Sequence, residues 1–211
     1  VYTRYVISYA GRWKTPGGSF VLGILIAAGL GATPPEAPAP LSLGDVVERE
    51  IAESETHGYS LDVPAGHFVQ VVVEQHGVDV ELVLRDADGE ELLHRDSLHG
   101  TKGQDRLSTI AEESGRLILE VSTGHAEPES HYVLRQVALR PTLETDRALV
   151  QAEELSFQAM VAAFRGNLAK DKAPDRALQL WQQAAELWNR ALPLWQAAGD
   201  GLGKSETLGW S

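Results

Sequence analysis

Val78-Asp-Val-Glu-Leu-Val-Leu-Arg85, followed at once by Asp86-Ala-Asp-Gly89, decides the fold. Val78, Val80, Leu82 and Leu84 alternate with Asp79, Glu81, Val83 and Arg85, the period of a strand with one buried face. Asp-x-Asp-Gly is turn chemistry: the aspartate side chain bonds nearby backbone, and Gly89 accepts a positive φ without steric cost. The stretch therefore predicts a β-hairpin. Outward from it the same grammar repeats. Tyr59, Leu61 and Val63 alternate before Pro64-Ala-Gly66, and Phe68–Val73 is apolar enough for burial on both faces. Leu117, Leu119 and Val121 follow Ser114-Gly115, and Tyr132-Val-Leu134 closes the set. Strands at this spacing, with no helical stretch between them, predict an antiparallel β-sandwich or jelly roll over residues 41–140.

At Pro141 the period changes. Thr145–Phe164 is rich in Ala, Leu, Glu and Gln, lacks Pro and Gly, and predicts a helix stopped by Gly166-Asn167. A second helix is expected from Ala173-Pro174 to Ala198, ended by Gly199-Asp-Gly201 and kinked by Pro193. Within it Ala177-Leu-Gln-Leu-Trp181, Ala184-Ala-Glu-Leu-Trp188 and Ala191-Leu-Pro-Leu-Trp195 recur at seven-residue steps, one broad apolar face. Lys204–Leu208 reads as the start of a third helix, too short to stand alone. The expectation is a truncated array. Its indoles would then form a sticky exposed patch, although packing against further helices is the first reading of Trp181, Trp188 and Trp195 and a partner stripe the second.

Composition narrows the function. The 211 residues carry a formal net charge of -12, which repels phosphate backbones and argues against nucleic-acid binding. There is no cysteine, so disulfides, thiolate metal sites, cysteine nucleophiles and lipoprotein attachment are all excluded. No cofactor is implied. Before Glu36 the only charges are Arg4, Arg12 and Lys14, followed by the apolar run Phe20–Leu30 and small residues. That order reads as a secretory signal peptide over 1–32 cleaved near Ala32, or as an uncleaved anchor through residues 15–35. Four prolines in Thr33–Pro40 read as a linker. The expected location is periplasmic or extracellular, with membrane contact only if the segment stays uncleaved.

Three resemblances follow from these residues. Tyr59-Ser-Leu-Asp-Val-Pro-Ala-Gly66, Val71, Val73, Asp79–Gly89, Ser114–Val121 and Tyr132-Val-Leu134 resemble the bacterial prepeptidase C-terminal domain, a secreted jelly-roll-like sandwich, over most of 44–139. Ala177, Trp181 and Ala184 have the small–aromatic–small spacing of a tetratricopeptide (TPR) helix, and Gly199-Asp200 then Lys204-Ser-Glu-Thr-Leu208 look like the lead-in to another repeat. The tryptophan-bearing turns, and the absence of that spacing before Gly166, depart from a standard first repeat. Signal, sandwich and TPR helices in this order resemble the N-terminal part of bacterial proteins that end in a caspase-like CHAT peptidase domain. The resemblance implies a multi-domain β + α chain, a sandwich at 41–140 and TPR-like helices at 141–211. It also implies a non-catalytic scaffold that holds a protein or peptide partner on its helical face. An accessory region of a secreted peptidase and a carbohydrate-binding sandwich are the alternatives; few aromatics, mainly Tyr59, Phe68 and Tyr132, are present to stack on a sugar.

Catalytic and metal motifs are weak. None of His57, His67, His76, His94, His99, His125 and His131 has zinc spacing, and most stand near glycine, which reads as surface loops. Asp79, Asp86, Asp88 and Asp96 raise calcium, but twelve positions from Asp86 stands Ser97, so an EF-hand fails. A looser loop site on Asp86, Asp88 and Asp96 is the remaining metal candidate, against a plain solvated turn. No Gly-x-Ser-x-Gly elbow occurs. Gly203-Lys204-Ser205 lacks the spacing and preceding strand of a phosphate loop.

Overall fold

A computed structural model describes residues 37–96, 100–201, 203–204 and 207. The signal or anchor segment and the first half of the proline-rich linker lie outside the described residues, as do His99 and Ser205. The elements are β1 Ala39–Pro40, β2 Val46–Glu50, β3 Thr56–Val63, β4 His67–Arg85, β5 Glu91–Arg95, β6 Lys102–Ile110 and β7 Gly115–Pro141, then α1 Glu144–Ala169 and α2 Pro174–Ala198.

β4 and β7 are long and pair antiparallel with each other from His67↔Pro141 to Arg85↔Ile118. Around their outer portions the order is β1-β3-β7-β4-β5; around their other halves β2 pairs with β7 at 131–135 and β6 with β4 at 68–76. Two sheets therefore share two bent strands. Side chains from both sheets enter one core: Tyr59, Leu61, Leu82, Leu84 and Leu119 from the first, Val71, Val73, Leu107 and Leu134 from the second. Each such aliphatic side chain stabilises the fold by about 1.5–3 kcal/mol when fully buried. The antiparallel sandwich read from the period-two pattern is present.

Three readings need correction. Phe68–Val73 and Val78–Arg85 are one strand, as are Leu117–Val121 and Tyr132–Leu134. The ladder shifts register between His76 and Val78: two steps along β4 match five along β7, from His131 to Ala126, so residues 127–130 of β7 bulge out opposite Gly77, which at φ 73° carries β4 through without ending it. Ala39–Pro40, expected in the linker, pairs parallel with Tyr59–Ser60 at the sheet edge, where proline's missing N–H costs no ladder bond. α1 does not stop at Gly166 but runs through it to Ala169.

The helices form an antiparallel hairpin. Ala152, Leu155, Ala159 and Ala162 of α1 face Ala184, Leu187, Trp188, Ala191 and Trp195 of α2. Small residues on one helix opposite indoles on the other bring the axes close. Pro174 occupies the first turn of α2, Pro193 lies within it, and Gly199 ends it at φ 72° with its N–H on the Gln196 carbonyl. Gly201, Gly203, Lys204 and Thr207 are helical as well.

Candidate functional site

α1 lies on the outer face of the second sheet, and charged groups make the junction. Arg106 of β6 is its hub: Nε stands 2.6 Å from the Glu153 carboxylate and Nη1 2.7 Å from Asp200 Oδ2. The guanidinium also sits 5.3 Å above the Trp195 ring. Glu153 is 7% exposed and accepts the Ser108 N–H at 3.1 Å and hydroxyl at 2.9 Å. Burial raises its carboxyl above the ordinary range; Arg106, Ser108 and Arg95 oppose that rise. Asp200 serves two ends, since its other oxygen accepts the Gly203 N–H at 3.0 Å and so caps the helical residues that follow. Arg95 of β5, also buried, donates to Glu154 at 2.9 Å and lies 5.0 Å over Phe157. Arg140, at the end of β7, clasps Asp146 through both its terminal nitrogens at 2.5 and 2.7 Å, while Asp146 accepts the Leu143 N–H and caps α1. The Arg140 and Asp146 partnership holds the Asp146 carboxyl below the usual range.

The predicted tryptophan face is largely inside. Ala177, Ala184, Trp188 and Trp195 are buried, and the Trp195 indole N–H donates to Ser156 at 3.1 Å. The expected sticky stripe is corrected accordingly: α1 covers it. Trp181 alone of the described indoles stays 39% exposed, resting against Gly166, where an added Cβ would stand 2.5 Å from its Nε1. Gly166 is thus a close-approach residue inside the helix and not its stop. Gly203 plays the same part beneath Trp195. Leu168 and Leu178 are 64% and 54% exposed, so with Trp181 they leave apolar surface toward the hairpin connection.

The calcium candidates do not assemble. Asp86 Oδ1 accepts the N–H groups of Asp88 and Glu90 at 2.9 Å, the work of a turn. Asp96 stands at the other end of β5, where burial and the neighbouring Asp79 and Glu81 push its carboxyl up to about 7. Among the described residues no three His, Asp or Glu side chains form a metal-ligand group.

The six described histidines all stand in strands, not in loops. His57 is buried: its Nδ1 lies 2.7 Å from the Tyr132 hydroxyl, which is 2.5 Å from that of Tyr59, and its Nε2 is 3.0 Å from Glu55. Burial and the Tyr59 bond push the Tyr132 phenol up, so it holds its proton. Tyr59, Phe68 and Tyr132 are each at most 1% exposed, which removes them as sugar-stacking platforms. Above this network an open groove of about 650 Å³ is lined by Glu50, Glu53, Glu55, Glu127 and Glu129. Sequence reasoning missed Arg95, Arg106, Glu153 and Asp200, whose pairings join distant segments.

No known protein family matches the chain, and no curated protein does. Solved structures that it is similar to include the pre-peptidase C-terminal domain of a Bacillus anthracis collagenase, at 15% identity and TM-score 0.38, covering 50% of this chain and 99% of that one. Another is a periplasmic inhibitor of g-type lysozyme from Aeromonas hydrophila, at 13% identity and TM-score 0.32, covering 46% and 92%. A third holds carbohydrate-binding and INT domains of Clostridium perfringens ZmpB, at 13% identity and TM-score 0.35, covering 71% and 42%. These values establish no family. Among the described residues no helix is long and apolar enough to cross a membrane.

Proposed function

We propose that this chain is an exported, non-catalytic protein-interaction module: the sandwich is a mount, and the helical hairpin presents the binding face. The observation that carries the reading is the Arg106 hub, which ties both helices of the hairpin, α1 through Glu153 and the end of α2 through Asp200, to one strand of the sandwich. A hairpin so fixed loses little freedom when a partner docks, and preorganised surfaces bind with a smaller entropic penalty. Leu168, Leu178 and Trp181 are its exposed apolar residues, and tryptophan is the residue type most enriched at binding hot spots. The Ala–Trp spacing and the Asp200 cap leading into further helical residues support a TPR-like array as the finer reading. The order of segments supports placement as the N-terminal part of a TPR–CHAT-type protein, in which chemistry would belong to another domain. Export rests on the Arg4–Pro40 leader.

The test is capture of proteins from the envelope fraction of the source cell by the full chain, compared with Leu178→Glu/Trp181→Glu and the control Gln183→Glu. The reading expects a partner retained by wild type and control and lost by the double variant. Retention of the same proteins by all three refutes it.

A further inference from the structure

The outer face of the second sheet carries a pair of imidazoles that the junction does not use. His76 of β4 and His131 of β7 are direct partners in the antiparallel ladder, so both side chains leave the same face. Their rings stack, with centroids 4.6 Å apart and planes 12° from parallel. His76 is exposed and the His131 side chain is 32% exposed, so water and ions reach both. On the neighbouring strand Glu48 Oε1 stands 3.6 Å from His131 Nε2, and Glu50 is the register partner of His131.

We propose that His76 and His131 form a two-imidazole chelate for a divalent transition metal such as Zn²⁺ or Ni²⁺. A metal at about 2.0–2.1 Å from each nitrogen needs the two nitrogens about 3.4 Å apart in a tetrahedral site, and because each lone pair lies in its ring plane the stacked rings must turn out of parallel so that the two lone pairs converge. Rotation about χ1 and χ2 of both exposed side chains supplies that, since the backbone ladder already fixes both Cβ atoms on one face. Imidazole selects zinc, nickel or copper over calcium and magnesium, which take oxygen ligands. Among the described residues the pair belongs to no group of three His, Asp or Glu side chains able to hold a metal, so water completes the coordination. Glu48, on the Nε2 side of His131, is placed to accept a hydrogen bond from a metal-bound water. The chain's net charge of -12 favours any cation at this surface. The metal would bridge β4 to β7, the two strands both sheets share.

The experiment is a Zn²⁺ titration of the full chain, free of any histidine tag, followed by calorimetry and by imidazole NMR signals. One equivalent should bind saturably, the His76 and His131 ring signals should shift together, and EDTA should reverse both. His76→Gln or His131→Gln should each weaken binding at least about 10-fold, because the second imidazole acts as an intramolecular ligand. The control His67→Gln should leave it unchanged. Undiminished binding in both variants, movement of only one ring, or no saturable binding overturns the proposal. The ring signals of the wild-type chain decide the matter alone if a variant fails to fold.

Discussion

Replacing Arg106 with methionine removes the guanidinium and keeps most of the side chain's volume. Three contacts vanish together: the Glu153 pair at 2.6 Å, the Asp200 pair at 2.7 Å and the stack on Trp195. The Arg106 side chain is 25% exposed, Asp200 17% and Glu153 7%, so solvent replaces little of what is lost. Stranding a buried charge costs about 3–5 kcal/mol, a large share of the 5–15 kcal/mol that holds a domain together. The loss should depend on pH in a defined direction. Glu153 already titrates above the ordinary range because of burial, so the folded state binds its proton more tightly than the unfolded chain does. Its contribution is present at low pH and fades as pH rises through the folded value. Without Arg106 the folded value climbs further, and the penalty of Arg106→Met should be greatest at pH 7–8 and shrink toward pH 4. Adding Glu153→Gln removes the stranded charge while an amide still bonds Ser108, and should restore about 2 kcal/mol. Urea denaturation at three pH values measures all of this. A cost below about 1 kcal/mol at pH 7, or a double variant no better than the single, refutes the hub.

Other consequences are independent of it. Gln136 is 1% exposed and neither side-chain polar atom has a partner among the described residues, so Gln136→Met should stabilise the sandwich by about 1–3 kcal/mol in urea melts; a loss of stability contradicts that. Gly203→Ala places a Cβ 2.5 Å from the buried, pinned Trp195 ring and should cost about 1–3 kcal/mol, with altered tryptophan fluorescence. Gly166→Ala meets the half-free Trp181 instead, and helix propensity of about 1 kcal/mol partly offsets the clash, so its cost should be the smaller of the two. Asp96, with its carboxyl near 7, favours the fold while protonated. Its contribution to stability should therefore fall between pH 4 and pH 7, and Asp96→Asn should remove that component of the pH dependence.

Much of this fold was legible where the cause is local. Alternation in Val78–Leu84, the Asp86–Gly89 turn, Pro174 in a first turn and Gly199 as a stop all act within a few residues, and each stands as read. The change of period at Pro141 coincides with the end of β7 and the start of α1 at Glu144. What escaped is set by distant partners. Phe68–Val73 and Val78–Leu84 read as separate strands, but the ladder on β7 carries β4 through Gly77 between them. Gly166 looked like a stop because the indole that needs its missing Cβ comes from the next helix. The Ala–Trp face was visible; that α1 covers it was not, since heptads announce an apolar stripe without its neighbour. Arg106 and Glu153 carry no motif, and Asp200 was legible only as part of a helix end: their joint role exists only once sheet and helices meet.

The most direct test of sandwich and hairpin as one mounted unit is urea unfolding of the full chain with a separate probe for each part. Trp181, Trp188 and Trp195 report the hairpin, and no tryptophan lies between residues 37 and 141, so hydrogen exchange of the Val69–Val73 strand reports the sandwich. The account predicts that fluorescence and strand protection are lost at the same urea concentration. A tryptophan transition that is complete while the strand remains protected would contradict it.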